Sequence, residues 1–309
     1  MIDFGGDQIA PSPGLDDRGY AKLIYCGNTA GLTYSSTGER YDQPVRTLFG
    51  TPGQFDGAIG KAHNADLGTK IFVRRGHAEN ISAADMGIDT LTRKRIHIVG
   101  EGDETERPTF TFTAAAATWL LDTDSIIIEN CNINLEPGAG AINVAAPITV
   151  SGNGCGFRKV KFRGGTDANN KVTVGITWTG KDGFMEDCTY NGATAATATT
   201  HLRLTAADRF RALRLRIDAA TTAVGVGVVQ FLTTASLNQD WRECFFRNNL
   251  AASTQAFGSF AANTGAMHYC NAGILAGSTA TAIDHSAGSM NYYNCRISLA
   301  LGAVDAAMT

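Results

Sequence analysis

Apolar positions recur in the second half of the chain within a short frame that repeats. Five hexapeptides centre on cysteine: Ile128-Glu129-Asn130-Cys131-Asn132-Ile133, Met185-Glu186-Asp187-Cys188-Thr189-Tyr190, Trp241-Arg242-Glu243-Cys244-Phe245-Phe246, Met267-His268-Tyr269-Cys270-Asn271-Ala272 and Tyr292-Tyr293-Asn294-Cys295-Arg296-Ile297. Two more, centred on Val160 (Phe157 to Phe162) and Leu213 (Phe210 to Leu215), fill the gaps. Successive centres lie 29, 28, 25, 31, 26 and 25 residues apart. The places three before the centre, at the centre and two after it are apolar in every copy. A 44% apolar background predicts about nine of those twenty-one.

Each copy is preceded by another short apolar or β-branched run, as in Ala141–Val144, Val172–Ile176, His201–Leu204 and Val224–Val229, with Gly, Asn, Asp or Thr between. Two or three short strands per repeat, with no helical period between them, predict an all-β right-handed parallel β-helix. Equivalent residues of successive coils then stack about 4.8 Å apart. Cys131, Val160, Cys188, Leu213, Cys244, Cys270 and Cys295 should form one interior column, where a free thiol serves as a small hydrophobe. The two places before each centre should point outward at a bend between strands. Their charges alternate in sign from coil to coil, as in Glu129, Arg158 and Glu186, so like charges do not stack.

Upstream, Lys22–Cys26, Ile71–Val73, Ile96–Val99, Phe110–Thr113 and Trp119–Leu121 read as strands of the opening coils. Residues 52–65 carry apolar side chains at 55, 58, 59 and 62, a helical spacing that predicts a short capping helix at the open end. Residues 1–20, with Pro11 and Pro13, read as an extended N-terminal arm, 21–299 as a single β-helix domain and 300–309 as a C-terminal tail.

Charged residues make up only 18%, so Thr, Ser, Asn, Ala and Gly must finish much of the surface. A net charge of -3 leaves no footprint of nucleic-acid binding. The first residues lack the basic and apolar regions of a signal peptide, and no apolar run is long enough to span a membrane. Seven cysteines without CxxC pairs, and six histidines without ligand spacing, predict reduced, buried thiols, no metal and no cofactor.

Glycoside cleavage requires two carboxyls about 5–9.5 Å apart. The acidic run Glu101, Asp103, Glu104, Glu106 reads as a solvated turn, and Asp122 and Asp124 as turn residues. Glu129, Glu186 and Glu243 share an outward column but are separated by Arg158 and Arg211. His77 and Glu79 lie on one side of an extended strand and form a local acid–base pair or, on the favoured reading, a hydrogen-bonded turn.

The series Gly27 to Thr33, Pro44 to Leu48, Phe55 to Ile59, Gly68 to Ile81 and Ile96 to Gly102 resembles the opening of pectin-lyase-like β-helix proteins. Gly76-His77-Ala78-Glu79-Asn80 and Arg107-Pro108-Thr109-Phe110-Thr111-Phe112 resemble a set of bacteriophage β-helix proteins. The resemblance implies a non-enzymatic virion structural protein, made in the host cytoplasm and placed on the capsid surface as a decoration or cement protein. Its partners would be itself, as a homotrimer, and the major capsid protein or other virion proteins, with neither nucleic acid nor membrane. The arm is the expected contact segment, with Phe4, Pro11, Pro13 and Tyr20 as candidates. The alternative is a tailspike-like protein that binds polysaccharide, through Tyr293, Tyr269 or Trp178, or cleaves it.

Overall fold

The computed structural model of the chain describes residues 2–4, 7–9, 22–27, 48, 58–59, 68–82, 95–135, 143–144, 146–164, 171–191, 200–219, 228–231, 234–248, 256–259, 262–274, 283–284, 288–298 and 306–308. Among these, three stacked sheets form a β-solenoid. Ten strands, from Lys22–Cys26 to Gly288–Tyr293, make the first sheet. Ten, from Ala78–Ile81 to Ala306–Met308, make the second, and seven, from Trp119–Leu121 to Ile283–Asp284, make the third. One coil runs through Ile127–Glu129, Asn132–Leu135 and Ile148–Val150 before returning to the first sheet at Gly156–Arg158. All pairings in these sheets are parallel except the last, where Ala306–Met308 runs antiparallel to Cys295–Ser298 and covers that edge of the second sheet.

The repeating frame is the core. Its first apolar place stacks Ile128, Phe157, Met185, Ala212, Trp241, Met267 and Tyr292 in register along the first sheet. Large rings fill the space between sheets. Phe157, Trp178, Phe210 and Trp241 follow one another with centroids 5.8, 5.0 and 5.3 Å apart. Trp241 also meets Phe246 and Phe257 edge-on. Such pairs add about 0.5–1.5 kcal/mol each beyond the area they bury.

The bend between the first and second sheets is a single left-handed residue in every repeat: Asn130, Lys159, Asp187, Arg214, Glu243, Tyr269 and Asn294, with φ between 50° and 59°. Only Asn and Asp favour that conformation by themselves. The others are held there by the stack, because the bend N–H donates to a carbonyl of the next coil. Lys159 N donates to Glu186 O at 2.9 Å, and Glu243 N to His268 O at 2.8 Å. A second left-handed column, at Arg95, Ser125, Gly154, Asp182, Arg209 and Asn238, turns the chain from the third sheet back to the first.

The stack also settles one register. Leu215, not Leu213, holds the fourth place in the thiol column, since Arg216 N donates to Cys188 O and Phe245 N to Leu215 O, both at 2.9 Å. Leu213 sits two residues earlier, half-buried, between Glu186 and Arg242 on the outward side. A two-residue slip keeps the same face inward, so Phe210, Leu213 and Leu215 satisfy the apolar frame as well as Ala212, Leu215 and Ile217 do. With this correction Leu213 replaces Arg211 beside Glu186; Glu243, one place before Cys244 and not two, belongs to the left-handed column of Asn130 and Asp187 and not to that of Glu129 and Glu186.

Of the expected capping helix at 52–65, only Ala58 and Ile59 are among the described residues. They form a buried turn tied to Leu48 by Ile59 N donating to Leu48 O at 3.1 Å. In the N-terminal segment Ile2–Phe4 and Asp7–Ile9 pair as an antiparallel hairpin. Phe4 lies opposite Asp7, while Pro11, Pro13 and Tyr20 lie outside the described residues.

Candidate functional site

The thiols come first, because the fold gathers them. Cys131, Val160, Cys188, Leu215, Cys244, Cys270 and Cys295 stack at the start of the second sheet, and all seven cysteines are free and buried. Burial pushes the Cys131 and Cys188 thiols up to about 12, leaving a negligible thiolate fraction at neutral pH. The sulfur also has a structural task that the sequence does not announce. Each column thiol donates to the carbonyl two residues back, across the left-handed bend: Cys131 to Glu129 O and Cys188 to Glu186 O at 3.3 Å, Cys244 to Arg242 O at 3.2 Å and Cys270 to His268 O at 3.4 Å. Val160 and Leu215 fill the same space without that bond, which accounts for cysteine being preferred there but not required.

The acids are placed by the same stacking. On the outward side of the first sheet Arg158 lies between Glu129 and Glu186, with Nε donating to Glu186 Oε2 at 2.8 Å and Nη1 3.7 Å from Glu129 Oε2. His97 Nε2 meets Glu129 Oε2 at 3.0 Å, and that hydrogen bond, with the nearby positive charges, holds the Glu129 carboxyl below its ordinary value. At the bend Arg214 grips Asp187 with two bonds, and at the other corner Arg209 grips Asp182. Both carboxyls are held low mainly by their guanidinium partners. A general acid needs the opposite shift, toward neutral pH.

Other sequence candidates are held by backbone bonds or by ion pairs. In the turn after Gly100, Asp103 accepts from Thr105 N at 2.9 Å and Glu104 pairs with Lys161 at 2.9 Å. Asp124 Oδ1 accepts from Asn153 N in the next coil at 2.9 Å. His77 Nε2 and Glu79 Oε2 are 2.9 Å apart and nearly buried. Glu79 also accepts from Leu48 N at 2.6 Å, and Phe110 lies 5.9 Å from the imidazole. Glu79 is in line with Phe110 on the neighbouring strand, so the pair lies buried at the start of the second sheet. That is the hydrogen-bonded reading of the pair.

Of the three aromatic candidates, Trp178 is fully buried in the core, whereas Tyr269 and Tyr293 are 62% and 48% exposed. They meet at the bend between the first and second sheets in the last coils, where Tyr269 N donates to Tyr293 O at 2.9 Å. Tyr293 stacks flat on His268, centroids 4.6 Å apart and planes 10° from parallel. Among the described residues no group of three or more His, Cys, Asp or Glu side chains is arranged to hold a metal ion, and no helix is long and apolar enough to cross a membrane. Comparison of the chain with protein-family models, curated proteins and solved structures gave no match.

Proposed function

We propose that this chain is a non-enzymatic structural component of a bacteriophage particle, in the concrete form of a trimeric capsid decoration protein that contacts the major capsid protein. The observation that carries the non-enzymatic part is the commitment of outward carboxylates to lateral ion pairs: Glu129–Arg158–Glu186, Asp187–Arg214 and Asp182–Arg209. These contacts join coils of the solenoid, and they favour the charged form of the Glu129, Asp187 and Asp182 carboxyls. The virion part is supported by the resemblance of Gly76–Asn80 and Arg107–Phe112 to phage β-helix proteins. Quantitative mass spectrometry of purified particles tests it. Hundreds of copies per particle are expected, and absence from the particle refutes the proposal. The tailspike-like alternative draws on a different observation, the exposed Tyr269 and Tyr293, whose faces suit a sugar ring. A handful of copies per particle, together with binding of host polysaccharide, would favour it.

A further inference from the structure

The thiol column is not uniform along its length. In its first four places Cys131 and Cys188 alternate with Val160 and Leu215, whereas Cys244, Cys270 and Cys295 follow one another without interruption. Phe245 pairs with Asn271 and Asn271 with Arg296, so Cys270, one place earlier, stands between Cys244 and Cys295. The Cys270 thiol interacts with the sulfurs on both sides. The three sulfurs also meet more carbonyls than the earlier two. Across the bend they donate to Arg242, His268 and Tyr293 O, at 3.2, 3.4 and 3.6 Å. In the preceding coil they approach Ala212, Trp241 and Met267 O, at 3.6, 3.5 and 3.4 Å. The negative ends of these dipoles oppose a bare thiolate and favour a cation beside the sulfurs. Interaction with the Cys244 sulfur, together with burial, pushes the Cys270 thiol up to about 12. Thioethers are present in the same coils, where Met267 and Met290 are buried on the last two strands of the first sheet.

We propose that the run Cys244, Cys270 and Cys295 is a binding site for one soft monovalent cation of the copper(I) class, held between the middle thiol and one of its neighbours. Sulfur ligands select such ions over harder ones. Equivalent positions of adjacent coils are about 4.8 Å apart. An ion midway between two sulfurs at that spacing has bonds of about 2.4 Å, close to the ~2.3 Å of a metal–thiolate bond. A linear site of two sulfurs needs no third side chain, and no group of three converges on a metal among the described residues. As the ion enters, one thiol releases its proton to solvent and the second sulfur coordinates as a neutral thiol. A monovalent ion thus replaces a proton, and the buried site stays neutral. The net charge of -3 favours a cation over an anion. Entry is from the C-terminal end, where Cys295 pairs with the terminal strand Ala306–Met308.

The test needs no virus particle, so its outcome is separate from that of the virion proposal. The reduced full chain is titrated with copper(I) in the absence of oxygen, against the chromogenic chelator bicinchoninate. The chain is expected to withdraw one copper ion, and X-ray absorption at the metal to show sulfur neighbours alone. Cys270→Val should weaken binding about a hundredfold or more, since even an outer-shell partner of a metal ligand is worth about 10–100-fold. Cys244→Val and Cys295→Val each leave Cys270 one neighbour and should retain the site, as should Cys131→Val. The double variant Cys244→Val with Cys295→Val should lose it, so the result does not hang on one substitution. Valine already fills this column at Val160, and melting curves establish that each variant is folded. Failure to withdraw copper from the chelator overturns the proposal. So do nitrogen or oxygen neighbours at the metal, full binding by folded Cys270→Val, or an equal loss in Cys131→Val.

Discussion

His201 is the sharpest point at which burial and chemistry conflict. It lies on the strand Thr200–Leu204, is 2% exposed, packs edge-on against Tyr190 with centroids 4.4 Å apart, and its Nδ1 has no hydrogen-bond partner. Burial lowers its pKa from 6.5 to about 4, against a smaller opposing pull from Asp218. Between those values the unfolded chain binds the proton and the folded one does not, so stability falls as the pH drops. The full loss, reached at about pH 4, is about 3 kcal/mol for 2.5 pKa units. At pH 5 it is about 2 kcal/mol. His201→Phe keeps a ring against Tyr190 and removes the titration. Urea unfolding of both proteins at pH 7.5 and pH 5.0 isolates the effect, because the carboxylate ion pairs titrate alike in the two. The variant should gain about 2 kcal/mol relative to the parent on going to pH 5.0. A relative gain under about 0.5 kcal/mol would show that the imidazole is hydrated in the folded protein, and the argument from burial would fail.

Further expectations follow from the stack. Leu215→Ala should cost about 2–5 kcal/mol and Leu213→Ala under about 1 kcal/mol by chemical denaturation, and the reverse order would refute the register of that coil. R158E would place three carboxylates in one column, so melting temperature should fall at pH 7 and recover toward pH 4; no pH dependence of the difference would disprove the lateral ladder. All seven thiols should resist a disulfide-exchange reagent in the native protein and react in denaturant, while fast native labelling of Cys131 or Cys188 would contradict their burial. Trp241→Ala, which empties a place touched by four aromatic rings, should cost about 3–5 kcal/mol.

The sequence alone determined that this chain coils, and which faces it buries. A parallel stack places equivalent residues of every coil in the same environment, so one apolar frame is written seven times and becomes visible without any homologue. The column of thiols and the outward alternation of Glu129, Arg158 and Glu186 were legible for that reason. Tertiary structure decided what a period of two residues leaves degenerate. Leu213 and Leu215 have the same parity, and only hydrogen bonding to the coils on either side selects Leu215. The left-handed bends at Lys159, Arg214, Glu243 and Tyr269 have no sequence signature, because the backbone bonds between coils impose a conformation those residues do not prefer. Trp178, a polysaccharide-contact candidate in the sequence, shares the inward parity of Val174 and Ile176 on its strand and is buried in the core. The packing of a buried His201 against Tyr190 likewise exists only after the coils are stacked, because the two rings come from different strands and meet in the core.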